Sequence, residues 1–211
     1  VVAVKQGLPD HGTIYVGAHH DTALEPFNGP GANDNASGIG VMLAAAEVLA
    51  GEEMTSTVKF IAFGAEELRM VGSGRYVRGL SWGDKTTAIG MLNLDCVGIG
   101  EELRLIFKKS DHLDFARSLS VEADYIGKSR WGASDHEPFA AAGIPAVSFN
   151  MREIGGSACG PNYHSMDDTA DTLQVEALQR VGTNLIIALR NLDEQSESRP
   201  IWKVYLPVAA T

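Results

Sequence analysis

The sequence predicts an α/β fold, a sandwich built around a mostly parallel central sheet. Short apolar or β-branched runs bounded by turn residues alternate along the chain with segments of helical periodicity. Near-continuous apolar runs are typical of strands that are buried on both faces of a sheet. Ligands of such sheets bind beyond the carboxyl ends of the strands, so the residues that follow each strand are the candidates for a site.

The predicted elements follow this alternation. Six strands are predicted at residues 1–5, 13–18, 58–63, 88–94, 103–107 and 146–149. A helix is predicted at residues 36–50, which are rich in Ala, Leu and Met and are followed by Gly51. A second helix is indicated by apolar residues at helical spacing between Val175 and Leu192.

Length and composition predict one globular domain. The chain has 211 residues, of which 45% are hydrophobic, and this is enough for one sizeable core. We expect the domain to cover residues 1–192, because residues 193–200 are polar and indicate a linker that leads into a C-terminal tail at 201–211.

Charge and hydropathy exclude two classes of partner. A formal net charge of -10 works against nucleic-acid binding, which depends on neutralising phosphates. The longest apolar run, residues 39–46, is far shorter than the ~20 residues that a membrane-spanning helix requires. We therefore expect neither a nucleic-acid partner nor a membrane span.

The two cysteines permit one disulfide or none. Cys96 follows Asp95 in what the pattern predicts to be a buried strand, whereas Cys159 lies in a glycine-rich loop. Because buried cysteine commonly behaves as a small hydrophobic residue, a free buried thiol is the favoured interpretation for Cys96.

Histidines and carboxylates recur in five short stretches, and three of them directly follow predicted strands. Imidazoles and carboxylates are ligands that Zn²⁺ accepts where thiolates are absent. The stretches are Gly17-Ala18-His19-His20-Asp21, residues 31–38 around Asp34, Gly64-Ala65-Glu66-Glu67, Asn93-Leu94-Asp95 and Tyr163-His164-Ser165.

Each stretch has an ordinary interpretation when taken alone. His19 and Asp21 are typical of a surface loop, and Asp34 is typical of a turn or a helix cap. Glu66 and Glu67 are typical of a solvated helix start. Together, however, they supply what two metal ions about 3.5–4 Å apart need, namely a bridging carboxylate, further ligands for each ion and a nearby base.

The set resembles the co-catalytic zinc aminopeptidases of peptidase family M28, similar to the bacterial leucyl-type enzymes. The resemblance covers about residues 1–192, and the five stretches occur in the order of the family. It implies a three-layer α/β/α sandwich with a mixed, mostly parallel sheet, as in zinc exopeptidases. It also implies two Zn²⁺ per chain, peptide substrates with a free α-amino group, and a cis peptide bond between Asp34 and Asn35.

The resemblance assigns a role to each motif residue. His19 and Asp95 would be terminal ligands of one zinc, Glu67 and His164 terminal ligands of the other, and Asp34 the bridge. Glu66 would be the general base, and Asp21 would orient the imidazole of His19. Two further matches are Asp168 and the Ser134-Asp135-His136 signature, in which His136 is not expected to bind metal.

Two departures from the family pattern limit what it implies. Trp131 stands where some members carry a tyrosine that polarises the scissile carbonyl. The chain starts at Val1 in what resembles the first or second sheet strand, so a missing N-terminal piece or an accessory domain is a further interpretation. We expect a secreted or periplasmic protein, and the sequence does not predict an oligomeric state.

Three other functions stay open at this stage. A glutaminyl cyclase would use one zinc, and a carboxypeptidase or deacylase would hold a substrate carboxylate with a residue such as Arg130 or Arg152. A non-catalytic binding domain should have lost ligands, but none is missing here. For an aminopeptidase, Trp131 and Phe149 favour an apolar first residue in the substrate.

Overall fold

The computed structural model describes residues 1–24, 26, 29–128 and 133–197. It contains a seven-stranded mixed sheet in the order β1-β3-β2-β4-β7-β5-β6. The strands are β1 (Val2–Lys5), β2 (Thr13–His19), β3 (Thr57–Phe63), β4 (Ala88–Leu94), β5 (Glu102–Phe107), β6 (Tyr125–Lys128) and β7 (Ala146–Arg152).

The four central strands are parallel. β2 pairs in parallel with β3 and β4, and β4 pairs in parallel with β7. β1 is antiparallel to β3, and β5 is antiparallel to β7, whereas the edge strand β6 is parallel to β5. The predicted mixed but mostly parallel sheet is confirmed, and the carboxyl ends of β2, β3 and β4 meet at one edge.

The described residues form six helices, five of which pack on the two faces of this sheet. They are α1 (Ser37–Ala50), α2 (Val71–Gly79), α3 (Trp82–Thr86), α4 (Leu113–Ser118), α5 (His136–Ala141) and α6 (Val175–Glu197). α1, α4 and α6 pack against one face of the sheet, and α2 and α5 pack against the other. The predicted three-layer α/β/α sandwich is therefore confirmed.

Side-chain alternation along each strand explains the two cores. Ile14 and Val16 of β2 belong to the larger core under α1 and α6, whereas Tyr15 belongs to the smaller core under α2 and α5. All three side chains are fully buried, as expected for a central strand covered on both faces.

The elements that the sequence did not predict are short. β6 has four residues, one of them glycine, and α2 to α5 have nine residues or fewer. Such segments carry too little periodicity to be recognised without their neighbours. β7 continues to Arg152, beyond the predicted end at 149.

The C-terminal boundary also differs from the prediction. α6 continues to Glu197, so residues 193–197 are not a linker, and the structure does not describe the side chain of Glu197 or residues 198–211. In the described residues every helix is too short or too polar to cross a bilayer. The division of the chain into a catalytic domain and a tail stays a prediction.

Asp193 ties the end of α6 to the loop before β3. Its Oδ1 accepts from the amide of Ser56 at 2.6 Å and from Oγ1 of Thr55 at 2.9 Å, and its Oδ2 accepts from the amide of Thr55 at 3.1 Å. Nearby, Oγ of the buried Ser196 lies 2.7 Å from Oγ of Ser56. The last turn of α6 is thus bonded to the sheet layer.

We expect Asp193→Ala to lower the free energy of unfolding by about 1–3 kcal/mol, because two main-chain amides lose their acceptor. Denaturant titration measures this change. Glu194→Ala, at the exposed next position, should change stability by less than about 0.5 kcal/mol. Equal effects of the two substitutions would show that Asp193 does not stabilise the helix end.

Candidate metal centre

The sheet register brings three of the predicted motifs together. His19 is the last residue of β2 and pairs with Phe63, and Glu66 follows Phe63 after a short turn. On the other side of β2, Gly17 pairs with Asn93, which places Asp95 beside His19. These residues meet because parallel strands end on the same edge of the sheet.

Asp34 approaches from a turn at Ala32–Ala36, directly before α1. The peptide bond between Asp34 and Asn35 is cis, which confirms the expectation from the resemblance. The side chain of Asn35 anchors this turn, since Nδ2 donates to the carbonyl of Leu94 at 2.8 Å and Oδ1 accepts from the amide of Gly38 at 3.1 Å. The turn is therefore bonded to the end of β4.

The two oxygens of Asp34 face two different histidines. Oδ1 lies 3.1 Å from Nε2 of His19, which is in turn 3.6 Å from Oδ1 of Asp95. Oδ2 lies 3.2 Å from Nε2 of His164, which is also 3.2 Å from Oε1 of Glu67. The result is two groups of three possible ligands that share Asp34.

The donor atoms fit divalent zinc. Tetrahedral zinc with bonds of about 2.0–2.2 Å places its ligand atoms about 3.3–3.6 Å apart. The measured separations of 3.1–3.6 Å within the two groups are close to this range. Each group combines one imidazole with two carboxylates, a set that zinc accepts.

The electrostatics of the cluster also fit cations. Burial, followed by the charge of Asp95, raises the pKa of Glu66 to about 9, and burial also raises the pKa values of Asp34 and Glu67. Among the described residues, no lysine or arginine forms an ion pair with these carboxylates. Divalent ions would supply the missing positive charge and favour the ionised carboxylates.

Glu66 is not in the two groups that share Asp34, but it forms a further group of possible ligands with His19 and Glu67. Its neighbour Glu67 also contributes to one of the groups that share Asp34. The carboxylate of Glu66 therefore lies next to the cluster, within reach of His19 and Glu67, where a proton acceptor could act.

Asp21 contacts both the Glu66–Glu67 turn and the imidazole of His19. Its Oδ1 and Oδ2 accept from the amides of Glu66 and Glu67 at 3.1 and 3.2 Å. Nδ1 of His19 lies 3.0 Å from the main-chain oxygen of Asp21 but 3.7 Å from Oδ1, too far for a hydrogen bond. Asp21 therefore orients His19 through its backbone.

Asp168 holds the Asp34 turn in the same manner. Its Oδ1 accepts from the amide of Asn33 at 2.8 Å, and its Oδ2 accepts from the amide of Asp34 at 3.0 Å. The side chain of Asn33 then joins two other loops through the amide of Gly98 and the carbonyl of Cys159. The roles of Asn33 and Asn35 were not predicted from the sequence, although consecutive polar residues before an apolar helix were a visible signal.

Cys96 and Cys159 form a disulfide, so the prediction of a free thiol was wrong. The prediction placed Cys96 inside a buried strand. β4 ends at Leu94, however, and Cys96 has a φ of 53° in the following loop, which contacts the loop of Cys159. The bridge joins the segment after Asp95 to the loop that precedes His164.

The Ser134-Asp135-His136 signature lies next to the cluster. Oγ of Ser134 accepts from Nδ2 of Asn93 at 2.9 Å, and burial lowers the pKa of His136 to about 4. Among the described residues, His136 belongs to neither group of possible ligands. Trp131 and Arg130 lie outside the described residues.

A family model for peptidase family M28 matches residues 1–189. The chain belongs to peptidase family M28. Aminopeptidase YwaD of Bacillus subtilis is 34% identical over 203 residues, which cover 89% of this chain and 42% of the relative. This M28 chain therefore spans less than half the length of that relative.

Solved structures agree with this membership. A zinc aminopeptidase from Bacillus subtilis superposes with a TM-score of 0.82 at 32% identity, over 95% of this chain and 51% of the other. A glutaminyl cyclase from Porphyromonas gingivalis superposes with a TM-score of 0.69 at 23% identity, over 92% of this chain and 75% of the other, and shares the fold.

We expect Asp168→Asn to lower the zinc affinity of this M28 chain about 10- to 100-fold, because an amide offers one acceptor oxygen where the carboxylate offers two. Competition with a chromogenic chelator measures the affinity. The control is Asp167→Asn at the exposed neighbouring position, which should bind zinc like the unsubstituted chain. Similar affinity for both variants would mean that Asp168 does not position Asp34.

Proposed function

We propose that this chain is the catalytic part of a di-zinc aminopeptidase. The observation that carries the proposal is the pair of ligand groups that share Asp34, with one carboxylate oxygen facing each group. Membership of family M28 and the likeness to a zinc aminopeptidase support the reaction class.

The proposed roles follow the geometry. His19 and Asp95 would hold one zinc, and Glu67 and His164 would hold the other. Asp34 would bind both ions, because its two oxygens face the two imidazoles at 3.1 and 3.2 Å. Asp21 would be a positioning residue that fixes the amides of Glu66 and Glu67.

When bound, the zinc pair would acidify a water molecule and polarise the scissile carbonyl. Glu66 would accept the proton of that water on a carboxylate oxygen and later deliver it to the nitrogen of the leaving amine. Burial raises the pKa of Glu66, and this helps its carboxyl group to hold the proton between the two steps. The surrounding carboxylates also favour a free α-ammonium group on the substrate.

The described residues bear differently on the two catalytic alternatives. A glutaminyl cyclase would need one group of ligands, whereas two groups are assembled here. A carboxypeptidase or deacylase would need a basic residue near the cluster, and Arg152 lines the same cavity. Peptides with a free amino terminus stay the proposed substrates, and substrate comparison separates these possibilities.

Two further predictions concern the first residue of the substrate and the location of the protein. The predicted preference for an apolar first residue rested on Trp131 and Phe149. Phe149 is fully buried in the core and does not line the site, and Trp131 lies outside the described residues, so the preference stays a proposal. The secreted or periplasmic location stays a proposal that the disulfide supports, because disulfides persist in oxidising compartments.

We expect Glu66→Gln to lower turnover by about two orders of magnitude or more while zinc content stays near two ions per chain. Glutamine keeps the size of the side chain but cannot accept the proton. Kinetics on leucine anilide and elemental analysis of the same sample measure both quantities. Loss of zinc together with activity would identify Glu66 as a ligand, and saturation near one zinc would favour a cyclase.

We expect leucine anilide to be cleaved and its N-acetyl analogue to be nearly inert. Acetylation removes the ammonium charge that the carboxylate cluster attracts. Release of the free aniline, followed by absorbance, measures both rates. Comparable rates would exclude an aminopeptidase even if the chain bound two zinc ions.

A further inference from the structure

The cluster of ligands opens into a cavity of about 660 Å³. His19, Asp34, Glu66, Glu67 and Asp95 line one end of this cavity. Its opposite wall comes from the strands β5, β6 and β7 at the far side of the sheet. This wall has no role in the proposed chemistry.

Strand register determines which side chains form the wall. Arg104 of β5 pairs with Asn150 of β7 and with Tyr125 of β6, and all three line the cavity. The alternate residues Leu105 and Phe149 point to the opposite face and belong to the larger core. The wall is therefore the polar face of a sheet whose other face is buried.

The wall is basic. Arg104, Lys128 and Arg152 line the cavity, and its acidic lining residues all belong to the ligand end. Within the described part of the chain, none of the three cations forms an ion pair with a carboxylate of the ligand end or of the wall. Glu102 lies opposite Arg152 in the strand register, but it makes no ion pair with Arg152 either. Three positive charges thus face the cavity without a carboxylate partner from its lining among the described residues.

Arg104 and Asn150 each have a polar atom without a hydrogen-bond partner among the described residues. The guanidinium of Arg104 lies over the ring of Tyr125, 4.4 Å from its centre, while its buried Nε finds no partner in the part of the chain that the structure describes. Asn150 is 4% exposed, and no described residue pairs with its Oδ1. Leaving a buried polar atom unpaired is costly, so a ligand carboxylate that accepts from Nε of Arg104 would be stabilised, whereas Oδ1 of Asn150 is itself an acceptor and would pair only with a donor group.

Asn150 links this wall to the ligand end. Its Nδ2 donates to the main-chain oxygen of Asp95 at 3.0 Å. Arg104 lies directly opposite Asn150 on the neighbouring strand. Asn150 thus connects Arg104 to Asp95, a proposed zinc ligand. A substrate held at the zinc site can reach the basic wall within the same cavity.

We propose that this basic wall binds a carboxylate of the substrate. A guanidinium binds a carboxylate through two parallel hydrogen bonds. Stacking on the ring of Tyr125 holds the guanidinium of Arg104 in one orientation. The carboxylate comes either from the side chain of an acidic first residue or from the free carboxyl terminus of a short peptide. The inference rests on the proposed aminopeptidase function and names its substrate class.

The first test compares the ratio of kcat/KM for glutamate anilide to that for leucine anilide. We expect Arg104→Met to lower this ratio about tenfold or more, because it removes the charge but keeps an apolar stem. Arg117→Met, at an exposed position on α4, is the matched control and should leave the ratio unchanged. Lys128→Met is a second variant, since its exposed side chain carries little risk to folding.

A second experiment identifies which group of the substrate supplies the carboxylate. It compares the dipeptide Leu-Gly with its C-terminal amide, in which the terminal charge is absent. A preference for the acid form that Arg104→Met abolishes would assign the wall to the carboxyl terminus, whereas a preference confined to glutamate anilide would assign it to the first side chain. Indifference to both carboxylates would overturn the proposal.

Calorimetry separates this proposal from the proposed function. If the first side chain supplies the carboxylate, free L-glutamate should bind the zinc-loaded chain about tenfold or more tightly than L-leucine, and Arg104→Met should remove the difference. If the carboxyl terminus supplies it, the dipeptide Leu-Gly should bind more tightly than its C-terminal amide, with the same loss in Arg104→Met. Glutamate selectivity without peptidase activity would support the basic wall and reject the aminopeptidase. Cleavage of leucine anilide without any preference for a carboxylate would retain the aminopeptidase and reject the basic wall.

Discussion

Asp168 accepts hydrogen bonds from the amides of Asn33 and Asp34, and the two ligand groups depend on this pair of contacts. The bridging role proposed for Asp34 needs one oxygen on each side, so small rotations of its backbone would separate it from one histidine. Asn35 fixes the same turn from the other direction through the end of β4. Asp21 provides the equivalent support for Glu66 and Glu67, so a carboxylate that accepts two successive amides occurs twice around the cluster.

The cavity combines opposite charges at its two ends. Burial, followed by the charges of neighbouring carboxylates, raises the pKa values of Glu66 and Glu67 at the end of the parallel strands, and this environment favours cations. The basic wall belongs to β5, β6 and β7, where the sheet changes from parallel to antiparallel pairing. Because both ends share one cavity, a substrate with a positive and a negative group can satisfy both. The formal net charge of -10 does not show this local separation.

Long-range links stabilise the loops around the cavity. The disulfide between Cys96 and Cys159 closes a loop across a sequence separation of 63, next to Asp95 and to the segment that leads to His164. Restricting two ligand-bearing segments in this way reduces the conformational entropy that they lose when the site is assembled. Asp193 makes a comparable connection at the end of α6, away from the cavity.

Local sequence patterns were enough to predict the parallel strands and the residues at their carboxyl ends. His19, Glu67 and Asp95 could be predicted because apolar runs mark buried strands and the positions that follow those strands converge. Asp34 and His164 lie in loops, and they were recognised from their order among the five motifs. The short elements α2 to α5 and β6 were missed because their few residues carry too weak a periodicity.

Which side chains meet across long sequence separations could be seen only in the folded chain. The disulfide, the contacts of Asp21 and the basic wall depend on register and loop approach, which local patterns do not encode. Phe149 illustrates the reason, since its neighbours Ser148 and Asn150 face the cavity while it faces the core. Side chains alternate along a strand, so the face that meets a ligand is fixed by the packing of the whole sheet.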